Sequence, residues 1–143
     1  MLTKKITTTN FNGEEVTETA YFNLTKSELV EMDLMTEGGL KDKFTSIVET
    51  QDKKKIMETF KELIMRSYGE KSPDGKYLDK GEDMSLAKKF VHTAAYDALI
   101  MELLTNEEAA SNFFLNVLPK DLIDKAKTEG LLTEDNKIVN AKN

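Results

Sequence analysis

Asn10-Phe11-Asn12-Gly13 sits between two stretches that read as strands. Residues 2–10 are rich in Thr and Ile, and residues 15–23 alternate Val16, Ala20 and Phe22 against Glu15, Thr17, Thr19 and Tyr21. That is the period-two pattern of a half-buried strand. Asn-Gly supplies the positive backbone angles of a tight turn, so residues 1–24 predict a β-hairpin. A lone hairpin is marginal in water, and this one must pack on helices or pair its edge with another strand. Its Thr-rich edge carries no proline to block pairing, so oligomers, or β-augmentation by a partner, are expected.

Outward from the hairpin the period changes to that of helices. Thr25 with Glu28 forms a capping box that opens a helix over 26–36, closed by Gly38-Gly39. Leu40, Phe44, Ile47 and Val48 mark a second short helix reaching Thr50. Asp52 caps a third, longer one, whose stripe Ile56, Phe60, Leu63 and Ile64 follows i, i+4, i+7, i+8 and ends at Gly69. Residues 69–83 are polar and hold the turn Ser72-Pro73-Asp74-Gly75, which predicts one long loop. Leu86, Phe90 and Val91 mark a helix over 85–92, and Tyr96, Leu99, Ile100 and Leu103 another over 94–104, unless the two are one helix with an irregularity near Thr93. Thr105 with Glu108 is read as a second capping box, opening a helix with Ala110, Phe113, Phe114, Val117 and Leu118 until Pro119 stops it. A short helix over 120–129 follows.

The fold class is therefore mainly α, an N-terminal β-hairpin followed by a bundle of about five to seven short helices. Residues 1–130 form a single globular domain, with 1–24 the hairpin and 25–130 helical. Residues 131–143 lack a repeating apolar face and are expected to be a mobile C-terminal tail.

Apolar residues are 39% of the chain and charged residues 32%, enough of each for a core and a well-solvated surface. A net charge of -6 argues against nucleic acid, because a phosphate-binding surface needs clustered Lys and Arg. Lys53-Lys54-Lys55 is the one basic run, and it reads as the solvated opening of an amphipathic helix. No cysteine is present, which removes disulfides, thiolate metal sites and thiol nucleophiles together. The first residues lack the apolar core of a secretion signal, and no run approaches the ~18 apolar residues of a membrane span. Neither export nor a membrane partner is expected.

Site chemistry is sparse. Gly69 to Lys76 comes nearest to a phosphate loop, but five residues separate Gly69 from Gly75 and Tyr77 stands where Ser or Thr should follow the lysine. His92 is the sole histidine, so no His pair can hold a metal and no dyad can be argued. Carboxylates such as Glu14-Glu15, Glu31, Asp33 and Glu107-Glu108 fall on turns or exposed helix positions. No catalytic, cofactor-binding or metal residue is assigned. Methionine stands out instead, with six beyond the first residue. Met57 and Met65 widen the stripe of the third helix, and Met101 lies beside that of the 94–104 helix. Thioethers fill irregular cores, and they also suit surfaces that adapt to a partner. The candidate partner-binding residues are Met57, Phe60, Ile64, Met65, Met101, Phe113 and Phe114.

The segments 10–19 and 21–29, then Tyr68 to Gly75, Thr93-Ala94-Ala95-Tyr96, Met101-Glu102-Leu103 and Phe113 to Pro119 resemble tail assembly chaperones of long-tailed, siphovirus-like phages and prophages of Gram-positive bacteria. The resemblance covers residues 5–119. It implies a non-enzymatic protein of the bacterial host cytoplasm, absent from the mature virion, that binds the tape measure protein and keeps it soluble while the tail tube assembles. It also implies a longer frameshift product whose extra domain recruits the tail tube protein. Ala141-Lys142-Asn143 can be encoded as GCA AAA AAC, which contains a slippery A-rich run. A structural tail component or adaptor protein shares the same composition, and a small enzyme is disfavoured by the missing site chemistry.

Overall fold

The computed structural model describes residues 1–39 and 52–121, with Asp124 and Thr128. The expected helix at 40–50 and the tail at 131–143 lie outside the described residues, as does most of the helix at 120–129.

β1 (Leu2–Thr9) and β2 (Glu15–Phe22) pair antiparallel without interruption from Leu2↔Phe22 to Thr9↔Glu15. The connection is longer than the Asn-Gly pair alone. Asn10 opens it, its side-chain oxygen accepting from the amides of Asn12 at 3.0 Å and Glu14 at 2.9 Å. Gly13 donates to the Asn10 carbonyl and takes the positive φ of 80°. Asn at the first position of a turn and Gly at its left-handed end are the chemistry of a type I turn with a following left-handed residue, which turns the chain without splaying the strands.

α1 (Lys26–Met35) starts at the expected capping box: Glu28 donates its amide to the Thr25 hydroxyl, and Thr25 donates its own to the Glu28 carboxylate at 3.0 Å. α2 (Lys53–Ser67) is capped by Asp52, which accepts from the amides of Lys54 and Lys55. It ends two residues before Gly69 and passes directly into a strand.

There the structure departs from the sequence reading. The polar segment expected to be a loop is a second hairpin, β3 (Tyr68–Lys71) and β4 (Leu78–Asp79), and β3 pairs with β2 through Tyr21↔Gly69 and Phe22↔Tyr68. The result is a four-stranded sheet in the order β1-β2-β3-β4. The strands are too short and polar to announce themselves by alternation. Their pairing is set by the turn, in which the Gly75 amide donates to the Ser72 carbonyl at 2.9 Å, and by the ready-made edge of β2.

α3 (Ser85–Phe90) and α4 (Ala94–Thr105) are separate helices. Thr93 divides them, its hydroxyl accepting from the Tyr96 amide at 3.1 Å and donating to the Phe90 carbonyl at 2.7 Å. α5 (Glu107–Val117) is capped one residue later than expected. Asn106 accepts from the Ala109 amide, while the Thr105 hydroxyl turns back to donate to the Met101 carbonyl, so there is no Thr105–Glu108 box. Asn competes well with Thr for a cap, and Thr105 is already the last residue of α4. Leu118 is extended ahead of Pro119, and α5 stops there.

The five α-helices among the described residues all contribute buried side chains to one core shared with the inward face of the sheet. Ile6, Ala20 and Phe22 point into that core and meet Leu63 and Ile64 of α2, Phe90, Leu99, Leu103 and Phe113. Phe22 is its centre: ring centroids lie 5.1 Å away for Phe113, 5.8 Å for Tyr68 and 6.0 Å for Phe90, while Tyr68 and Phe90 stack at 4.2 Å. The opposite sheet face, with Thr3, Lys5, Thr7, Thr17 and Thr19, is exposed.

Candidate partner-binding surface

The residues proposed from sequence divide into three groups. Ile64 is 0% exposed and Phe113 2%, so both belong to the core. Phe60, Met65 and Phe114 are half-buried, Phe60 and Phe114 packed against that core. Met57, at 44%, and Met101, at 52%, are the two that reach solvent as large apolar groups. The i, i+4, i+7, i+8 stripe of α2 is used for folding.

A stronger apolar exposure lies on α1, which the sequence reading passed over. Leu29 and Met32 are buried, whereas Val30, Leu34 and Met35 are exposed, Leu34 at 80%. Residues four apart share a helix face, so Val30 and Leu34 form one outward apolar strip. Exposed Glu31 and Glu37 lie beside it. The signal was present in the order Leu29-Val30-Glu31-Met32-Asp33-Leu34-Met35, where apolar residues fall on more than one side of the helix. A helix that needs only one apolar face to fold has here a second one.

One mostly buried cation ties α1 to its neighbours. The Lys80 ammonium donates to the Glu28 carboxylate at 2.5 Å, the Arg66 carbonyl at 2.7 Å and the Asn23 carbonyl at 2.8 Å. It thereby ties the start of α1 to the end of α2 and the exit of β2, and satisfies a carbonyl in the last turn of α2. Burial alone would raise the Glu28 carboxyl, but the Lys80 ammonium and the Thr25 amide outweigh it and hold the group below the ordinary glutamate range. Lys26 pairs with Asp121 on the other side of the helix start.

Open clefts also occur among the described residues. One of about 580 Å³ lies in the second hairpin, lined by Glu70, Lys71, Ser72, Tyr77, Leu78, Asp79, Lys80 and Gly81, and is wide open. The segment Gly69 to Lys76 that spells a near-miss phosphate loop folds as this hairpin. At its tip the Lys76 amide and the Ser72 hydroxyl donate to Asp74 and hold its carboxyl below the usual range, placing negative charge where a phosphate loop would present amides. His92 is exposed at the α3–α4 junction. Among the described residues no cluster of three His, Asp or Glu is placed to hold a metal ion, and no helix is long and apolar enough to cross a membrane.

No curated protein and no solved structure shows significant similarity to the chain. One family model, described as phage tail assembly chaperone, matches residues 1–143. With that match across its full length, the chain belongs to the phage tail assembly chaperone family.

Proposed function

We propose that this chaperone binds the tape measure protein of its phage and keeps it soluble during tail morphogenesis, acting through exposed apolar side chains and without catalysis. The observation that carries this reading is the second apolar side of α1, Val30 and Leu34, on a helix already packed by Leu29 and Met32. Met57 and Met101 add flexible apolar groups on α2 and α4. A long helix with an apolar seam is the partner such side chains suit, laid against them as a helix in a groove. The acidic residues Glu31 and Glu37 beside the strip favour a partner segment that carries Lys or Arg next to its apolar seam.

Co-expression with the tape measure protein encoded alongside it tests the proposal. The chaperone should raise the soluble fraction of the tape measure protein and copurify with it, and Leu34→Glu should lower that yield while leaving the chaperone folded. Equal insolubility with and without the chaperone overturns the reading. The same proposal places the protein in the bacterial host cytoplasm and outside the finished virion, where a structural tail component would remain; mass spectrometry of purified virions separates the two. A longer frameshift product recruiting the tail tube protein belongs to the proposal as well, and an overlapping reading frame beyond an A-rich run at Ala141-Lys142-Asn143 is what the nucleotide sequence must then contain.

A further inference from the structure

The two edges of the sheet differ in what they offer. β4 is two residues long and leads at once into Gly81 and the turn before α3, so it presents almost no backbone for pairing. β1 is eight residues long, contains no proline and keeps its register with β2 unbroken. The Asn10 amide donates to the Glu14 carbonyl, and antiparallel alternation from that bond directs the backbone groups of Thr8, Ile6 and Lys4 toward β2. The amides and carbonyls of Thr3, Lys5, Thr7 and Thr9 consequently point away from the sheet.

Edge lysines commonly guard such a strand. Here one of the two is engaged, because the Lys4 ammonium pairs with Glu102 of α4 at 3.0 Å. Lys5 remains, and its charge disfavours registers that set another lysine opposite it. If the added strand is a second copy of β1 running antiparallel about a two-fold axis, only odd-numbered residues can face one another as hydrogen-bonded pairs. The register that sets Lys5 against Lys5 places like charges directly opposite. A shift toward the N-terminus shortens the overlap and sets Lys4 against Lys4. The register centred on Ile6 against Ile6 sets Lys5 opposite Thr7 and Thr3 opposite Thr9, leaves no lysine opposite a lysine and uses the strand from Thr3 to Thr9.

We infer that β1 is a dimerisation edge: two copies of this chain join antiparallel, Ile6 opposite Ile6, into one continuous sheet. The occupant is the chain itself because its own strand has the complementary length, outward bonding pattern and charge spacing. This surface is distinct from the apolar strip of α1, so dimerisation and tape measure binding stand or fall separately.

The full chain, at 16.2 kDa, is measured by sedimentation equilibrium over a wide concentration range. A mass of twice the chain is expected at the upper end. Thr7→Pro removes an outward amide without removing a bond to β2, and should leave a folded monomer. Thr7→Glu and Thr7→Lys read the register: each copy's residue 7 faces Lys5 of the other, so the Glu variant should tighten the dimer and the Lys variant weaken it, each by roughly threefold to tenfold in Kd. The wild-type chain remaining monomeric at millimolar concentration overturns the inference, even if another protein pairs with this edge. So does a dimer whose Kd is the same for the Glu and Lys variants.

Discussion

The first and second hairpins are both built on a turn with Gly at a positive φ, yet they are stable for different reasons. The first has eight paired residues per strand, an inward face of Ile6, Ala20 and Phe22, and a turn satisfied by its own Asn10. The second pairs only Glu70 with Asp79 and Lys71 with Leu78 between its own strands. It is held from outside, by β2 along one edge, by Tyr68 stacked on Phe90, and by Lys80 reaching three acceptors beyond the hairpin. A strand with a long period-two pattern carries its own instructions, whereas a four-residue strand depends on what the rest of the chain brings beside it.

The largest expected effect comes where the two hairpins share a residue. Phe22 is the last residue of β2 and contacts Tyr68, Phe90 and Phe113, so Phe22→Ala should cost about 3–5 kcal/mol by urea denaturation and loosen both hairpins at once. Next is Lys80→Met, which keeps the length of the side chain but strands the Asn23 and Arg66 carbonyls and takes one of its partners from the Glu28 carboxylate. The ammonium is mostly but not fully buried, and a loss of about 2–3 kcal/mol is expected, with the second hairpin and the start of α1 losing hydrogen-exchange protection before the first hairpin does.

That ion pair also sets a pH dependence. The folded-state pKa of Glu28 is depressed, so its stabilising contribution is fully present above the ordinary glutamate value and is lost as pH falls through the lower folded value. Lys80→Met should flatten the acid limb of a stability-against-pH curve measured by urea midpoints. An unchanged acid limb would show that Glu28 is held by its capping box alone.

The same substitution in each hairpin sharpens the contrast. At Gly69 a Cβ would lie 2.7 Å from the Leu78 Cγ and 2.9 Å from the Asp79 carbonyl oxygen, so Gly69→Ala must push β4 away and should cost about 2–3 kcal/mol. At Gly13 a Cβ meets nothing within 4 Å, and only the positive φ resists it. Gly13→Ala should cost about 1 kcal/mol, with the β1–β2 register retained in nuclear Overhauser contacts between the strands. Equal losses at the two glycines would contradict the view that the second hairpin is limited by packing and the first by local backbone angle.

What could be read from the sequence alone were features whose cause lies within a few residues. The first hairpin, the Thr25–Glu28 box, the Asp52 cap and the stop at Pro119 each follow from side chains that act on neighbouring backbone. Even the near-miss at Thr105 was a local competition, won by the adjacent Asn106. Of the candidate contact residues, Met57 and Met101 are exposed whereas Ile64 and Phe113 are buried, a difference that their apolar character in the sequence does not mark. Which face of a helix is covered depends on partners far along the chain, and the exposure of Val30 and Leu34 is therefore set by how α1 packs. The second hairpin and the three-way contact of Lys80 likewise belong to the tertiary structure. Residues 23, 28, 66 and 80 are joined there by chain reversals that no local pattern encodes, and a lysine among polar neighbours carries no mark of the carbonyls it will meet.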